Sequence, residues 1–231
     1  MTIKAVLFDL GGTLLDYNWQ HPAEIHQKVL FSLGISRSFD EVKTAFLKAE
    51  KEAEDLNLFS SFGKMELKKW GSQWDALILK HLGIVENMEL GRIVQSKWND
   101  FTNFTLCPET KNVLVRLKQR GLKLGLISNG YEEDIHFFLE KAGLEKSTFN
   151  IIVGVDTVKC MKPHPDIFKY ALNKLKVKPE ETMYVGDELE VDYKGAKNVG
   201  MRALLIDRTE KQKQNNLRTI KNLKEVLSQI Y

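Results

Sequence analysis

Ile3-Lys4-Ala5-Val6-Leu7-Phe8-Asp9-Leu10-Gly11-Gly12-Thr13-Leu14-Leu15-Asp16 decides how this chain folds. Residues 3–8 are β-prone and, apart from Lys4, apolar, and they lead into a lone carboxylate, Asp9. Two glycines then let the backbone turn before Thr13. This is the layout of a buried parallel strand that delivers an acid to the carboxyl edge of a sheet, where open α/β sheets hold their ligands. The same layout also suits a strand and turn whose Asp is merely hydrogen-bonded. The chain downstream has to choose between a structural acid and a chemical one.

After Cys107-Pro108, short apolar runs alternate with helical stripes. Strands are expected over residues 122–127, 149–153, 182–185 and 201–206, with helices around Val113, over residues 131–142, through Ile167 to Leu172, and up to Gly200. A last stripe, Ile220, Leu223, Val226, Leu227 and Ile230, reads as a terminal helix, and the basic run 211–224 as a solvated helix face. Alternation of this kind means right-handed crossovers and a parallel sheet covered on both faces.

Residues 16–104 contain no strand signal. Four stripes at helical spacing occur there: Ile25, Val29, Leu30, Leu33; Val42, Ala45, Phe46, Ala49, Ala53, Leu56; Leu67, Trp70, Trp74, Leu77, Ile78; and Leu90, Ile93, Val94, Trp98, Phe101. Gly34 stops the first, and Ser38 with Glu41 forms a capping box before the second. Four such helices bury their stripes against one another as a bundle. The reading is therefore a doubly wound, Rossmann-like α/β core, residues 1–15 and 105–231, with a four-helix cap domain, residues 16–104, inserted after the first strand.

Of 231 residues, 43% are apolar and 28% charged, and Lys+Arg 34 against Asp+Glu 31 leaves a net charge of +3. Interspersed charge at this balance leaves no footprint for nucleic acid or for a membrane surface. Cys107 and Cys160 lack metal-ligand or disulfide-framework spacing, which fits a reducing, cytoplasmic setting. No leader or membrane-spanning run is read.

Because parallel strands all point one way, their ends share an edge. Here those ends carry Asp9, Ser128-Asn129 and Asp187-Glu188, and the loop before a helix carries Lys162. Singly, Ser128 reads as a helix cap, Lys162 as a solvated charge and Asp187 as a turn residue. Together they are the parts for phosphoryl transfer: two acids to hold Mg²⁺, and a hydroxyl and an ammonium to bind phosphoryl oxygens. Asp9 can then attack phosphorus and give an aspartyl-phosphate that water hydrolyses.

With FDLGGT at residues 8–13, ISN at 127–129, Lys162 in KPHPDIF and GDELEVD at 186–192, the chain resembles the haloacid dehalogenase superfamily over essentially its whole length. The resemblance implies a subfamily I hydrolase with a helical C1-type cap. It implies Asp9 as nucleophile, Ser128 and Lys162 on the transferring group, and Thr13 and Asn129 beside them at the phosphate. It also implies Mg²⁺ held by Asp9, Asp187 and the Gly11 carbonyl, with Asp192 supporting the metal site. The implied substrate is a small phosphorylated metabolite, and oligomeric state is left open.

One position departs from the family pattern. Phosphatases of this family carry a second Asp two residues after the nucleophile, where this chain has Gly11. Glu188 and His21 are the candidate substitutes as general acid. The same glycine raises two alternatives, a metal-independent 2-haloacid dehalogenase and a weakly catalytic phosphate-binding regulatory module. Against dehalogenation, Asp187 is retained and no Arg follows closely on Asp9. Substrate choice is expected in residues 17–26 and 59–69, which hold Trp19, His21, Lys64 and Lys68.

Overall fold

The structure, a computed structural model, describes residues 2–16, 21–84, 88–210 and 217–230. The chain forms two compact units, Met1–Asp16 with Thr105–Tyr231, and Tyr17–Phe104.

In the first unit, strands β1 (Ala5–Phe8), β4 (Lys123–Ile127), β5 (Ile151–Val153), β6 (Thr182–Gly186), β7 (Arg202–Ile206) and β8 (Thr219–Ile220) make a parallel sheet. Its order is β5-β4-β1-β6-β7-β8. Every residue of β1 and of β6 is buried, as a strand covered on both faces requires. From β1 the chain winds one way through β4 and β5, then returns to β6 and winds the other way through β7 and β8. The order reverses between β1 and β6, and a crevice opens at the carboxyl end of such a pair. Asp9 and Asp187 follow these two strands. Helices α5 (Thr110–Gln119), α6 (Glu132–Lys141), α7 (Val155–Val158), α8 (Pro165–Leu175) and α9 (Gly195–Asn198) supply the crossovers. α8 buries Ile167, Phe168, Ala171, Leu172 and Leu175 in one cluster with Leu7, Tyr184 and Leu205 of the sheet.

Three elements differ from the sequence reading. First, a two-stranded antiparallel ribbon joins β2 (Leu15–Asp16) to β3 (Thr105–Leu106), with Asp16 opposite Thr105. Second, residues 189–194 form a π-helical segment ahead of α9 rather than one continuous helix. Third, the C-terminal stripe is not one helix. Thr219 and Ile220 add β8 to the sheet, Asn222 caps a new turn, and Leu223–Ser228 is a 3-10 helix. The stripe was right about burial, since Ile220, Leu223, Val226, Leu227 and Ile230 all lie inside. Part of the basic run, residues 211–216, lies outside the described residues.

The second unit holds α1 (Pro22–Ser32), α2 (Phe39–Asp55), α3 (Leu67–His81) and α4 (Met88–Phe101). Ser38 caps α2 by accepting from the Glu41 N–H, while Glu41 accepts from the Ser38 N–H at 2.7 Å, the reciprocal box read from sequence. Ile25, Val29, Leu30, Val42, Leu79 and Val94 share one buried cluster, and Ala45, Ala49, Ala53, Leu77 and Ile78 another. Leu56 and Ile93 are exposed, so the stripes of α2 and α4 each lose a member. A polar pair lies inside this apolar unit: His26 Nε2 is 2.8 Å from Asp75 Oδ1, and His26 Nδ1 is 3.1 Å from the Pro22 carbonyl. Both ring nitrogens thus face acceptors.

Candidate active site

Asp9 leaves β1 with its N–H donating to the Val185 carbonyl of β6 at 2.9 Å, so the sheet ladder itself aims the residue at the crevice. The carboxylate is buried, and Lys162 Nζ reaches Asp9 Oδ1 at 2.6 Å, Asp192 Oδ1 at 2.7 Å and the Tyr184 hydroxyl at 3.1 Å. Burial works against the Lys162 charge, but the two carboxylates outweigh it and hold the ammonium protonated, its pKa raised above the ordinary lysine value. Lys162 arrives from the loop before α8. Its backbone is clamped by Asn129, whose side chain accepts from the Lys162 N–H at 2.7 Å and donates to the Lys162 carbonyl at 3.1 Å. Asn129, expected at the phosphate, is here engaged with the Lys162 backbone.

Asp9, Asp187 and Asp192 each present a carboxylate oxygen, and these oxygens lie within 4.8 Å of one another. Burial, opposed by Lys162 and reinforced by Asp192, pushes the Asp9 carboxyl up to about 6. Burial and then the charges of Asp9, Asp192 and Glu188 push Asp187 up to about 7. Three acids converging on one ammonium leave a surplus of negative charge. Hard oxygen donors gathered in this way suit a divalent cation, and the donor set fits the metal that such a site calls for.

Two glycines make the packing possible. Gly12 sits at φ +77°, and a β-carbon there would fall within the Asp187 carboxylate. Gly186 is pressed just as closely by Asp192, whose side chain folds back over the end of β6 and accepts from the Glu188 N–H at 3.1 Å. The close approach of backbone to carboxylate leaves no room for a side chain at either position.

Ser128 follows β4, and its Oγ accepts from the Gly130 N–H at 3.2 Å, which leaves the hydroxyl proton to donate. Thr13 is fully buried, with Oγ1 3.5 Å from Asp187 Oδ1. The structure therefore brings Asp9, Lys162, Asp187, Asp192 and Thr13 together, with Ser128 at the end of the neighbouring strand. Glu188 is exposed. His21 caps α1, its Nδ1 accepting from the Ala23 N–H at 3.1 Å, the role of an N-cap residue. Trp19 lies outside the described residues. Tyr184 was missed, since nothing in the run Thr182–Val185 sets a tyrosine apart from core, yet its hydroxyl reaches Asp192 Oδ1 at 3.1 Å.

A parallel sheet whose switch point carries an acid cluster and a buried lysine is a doubly wound α/β protein with a site suited to a cation or a charged ligand. The chain belongs to the haloacid dehalogenase-like hydrolases, whose family model matches residues 3–200. A glyceraldehyde 3-phosphate phosphatase of Methanocaldococcus jannaschii is 29% identical over 86% of this chain and 82% of its own length. The pyrophosphatase PpaX of Oceanobacillus iheyensis is 28% identical over 81% and 76%. Among solved structures, a HAD phosphatase from Thermococcus onnurineus superposes with a TM-score of 0.66 at 28% identity, over 98% of this chain and 97% of that one. Among the described residues no helix is long and apolar enough to cross a membrane.

Proposed function

We propose that the chain is a Mg²⁺-dependent phosphatase of small phosphorylated metabolites that works through an aspartyl-phosphate on Asp9. The observation that carries this reading is the convergence of three carboxylate oxygens within 4.8 Å, with Asp187 pushed up to about 7 where it stands. A metal-independent dehalogenase has no use for such a cluster, whereas a divalent cation relieves its repulsion. The similar glyceraldehyde 3-phosphate phosphatase and pyrophosphatase support phosphate esters and anhydrides as the substrate class.

Asp9 and Asp187, with the Gly11 carbonyl, would hold the ion, and Asp192 would support them from its bonds to Lys162 and the Glu188 N–H. Bound there, Mg²⁺ supplies charge neutralisation and polarisation of the phosphoryl oxygens. Lys162 occupies Asp9 Oδ1, which leaves Oδ2 to form the bond to phosphorus as the ester oxygen departs. The Ser128 hydroxyl donates to the phosphoryl oxygens, and the Lys162 ammonium, its N–H groups turned to Asp9, Asp192 and Tyr184, stabilises the charge that shifts onto them through its positive field. Water then attacks phosphorus, releasing phosphate and returning Asp9 as a carboxylate. Gly11 offers no proton to the departing oxygen, so aryl and acyl phosphates, whose leaving groups need none, are turned over faster than alkyl esters.

The test is phosphate release from aryl and alkyl phosphates with and without Mg²⁺, run beside halide release from 2-haloacids. Metal-dependent phosphate release that disappears in Asp9→Asn is the expected result. Halide release without metal would replace the reading with dehalogenation. Tight binding of a phosphate analogue with no turnover would replace it with a binding module.

A further inference from the structure

Arg208 stands two residues beyond β7 and past residue 200, where the family match ends, and no role in the chemistry above falls to it. Its guanidinium divides between two acceptors on different segments. Nη1 donates to Glu109 Oε1 at 2.7 Å and Nη2 to the Thr13 carbonyl at 3.0 Å. Glu109 is buried, and the same Oε1 also accepts from the Leu223 N–H at 3.3 Å. Burial pushes the Glu109 carboxyl up, but these hydrogen bonds outweigh it and hold it below the usual carboxylate range. Here a planar fork satisfies a buried carboxylate and a backbone carbonyl at once, which a point-charge ammonium cannot do as well.

The tie lands on the loop that shapes the acid cluster. Gly12 N–H donates to the Leu15 carbonyl at 2.7 Å, and the Leu14 and Leu15 N–H groups both donate to the Leu10 carbonyl at 2.9 Å. The Leu14 carbonyl accepts from the Cys107 N–H at 3.1 Å and from Thr110 Oγ1 at 3.0 Å. Thr13 is the apex of this loop, and its carbonyl is the acceptor that Arg208 takes. Without that bond the Thr13–Leu14 peptide keeps its N–H tie to the Leu10 carbonyl but loses its anchor at the carbonyl end, which loosens the turn that carries the Thr13 hydroxyl and the Gly12 backbone packed on Asp187.

We propose that Arg208 is a positioning residue of the active site: braced on buried Glu109, it fixes the Thr13 peptide and so holds Thr13 and Gly12 in register with Asp187. This builds on the phosphatase reading but is tested apart from it, because the loop can be observed without substrate or metal. The variants are Arg208→Met, Arg208→Lys and Glu109→Gln in the full chain.

The first measurement is hydrogen exchange of the peptide spanning residues 9–16 in metal-free protein. Arg208→Met should speed exchange there about tenfold while β6 and β7 keep their protection. Arg208→Lys, able to keep one acceptor, and Glu109→Gln, keeping a neutral one, should each give about threefold. The second is Mn²⁺ binding by titration, which Arg208→Met should weaken about tenfold and Arg208→Lys should partly restore. Exchange at residues 9–16 and Mn²⁺ affinity both within twofold of the wild type in Arg208→Met would overturn the proposal. If Arg208→Met does not fold, the other two variants decide it by the same pair of readings. A wild type that binds Mn²⁺ yet hydrolyses no phosphate ester would sink the phosphatase reading and leave the exchange result standing.

Discussion

Replacing Lys162 by Met should destabilise the protein in a way that depends on pH. The ammonium is buried and serves two carboxylates, Asp9 at 2.6 Å and Asp192 at 2.7 Å. Methionine fills a similar volume and leaves those acids without their cation, and breaking a buried ion pair from one side costs about 3–5 kcal/mol. For a chain of this size that is about 6–20 °C in the unfolding midpoint. The sign with pH follows from Asp9, which burial raises from 3.8 to about 6. A carboxyl raised in the folded state binds its proton more tightly there than in the unfolded chain, so folding stability falls as pH rises from about 4 through about 6. Loss of Lys162 removes the lowering influence and steepens that fall. At pH 5 a proton taken up by the cluster replaces the missing ammonium, and the cost shrinks to about 1–2 kcal/mol. All four tryptophans lie between residues 17 and 104, so the core should be followed by far-ultraviolet circular dichroism and by hydrogen exchange in β1, in metal-free buffer. An equal loss at pH 5 and pH 8, or none at pH 8, would refute the account of Lys162 as the charge partner of these acids.

Gly11→Asp should raise turnover on alkyl phosphates by about 10- to 100-fold and on aryl phosphates much less, because only the poor leaving group needs a proton; steady-state kinetics on the two substrate classes would show an unchanged ratio if the glycine is not the missing acid. Gly12→Ala faces both the positive φ of +77° and the Asp187 carboxylate, at a cost of about 1–3 kcal/mol from the backbone alone, and calorimetric titration should find Mg²⁺ affinity reduced. In the helical unit, Asp75→Ala leaves buried His26 Nε2 without its acceptor and should destabilise that unit by about 2–4 kcal/mol. Tryptophan fluorescence in urea should report this loss, since the Trp98 ring lies 4.7 Å from His26. An unshifted urea midpoint would count against a stabilising role for the pair.

Much of the core was legible because its strands are unbroken apolar runs that end in turn residues, and parallel strands gather their ends at one edge. That rule places Asp9, Ser128 and Asp187 without further knowledge, and it would also have flagged Arg208, just beyond the end of β7. What it could not supply was the partner of each side chain. The Arg208 contacts to Glu109 and Thr13 join segments about 100 and 195 positions away in sequence, and no local pattern encodes them. The β2–β3 ribbon escaped notice because two-residue strands have no period to detect. At the C-terminus the spacing of Leu223, Val226 and Leu227 suits a 3-10 helix and an α-helix alike over so short a run, and the capping box between Asn222 and Glu225 shows where the turn begins. His26 and Asp75 sit on apolar helix faces where a lone polar residue gives no hint of its partner 49 positions on.

The ribbon also bears on the order in which the chain folds. β1 must pair with β4 more than a hundred residues later, a long loop to close by chance, and such closures slow folding. Asp16 and Thr105, which flank the intervening segment in sequence, face each other in that ribbon. If the ribbon closes first, the effective loop between β1 and β4 becomes far shorter. Two strands of two residues each would then act as the clasp of the sheet, bringing β1 to β4 at a smaller entropic cost.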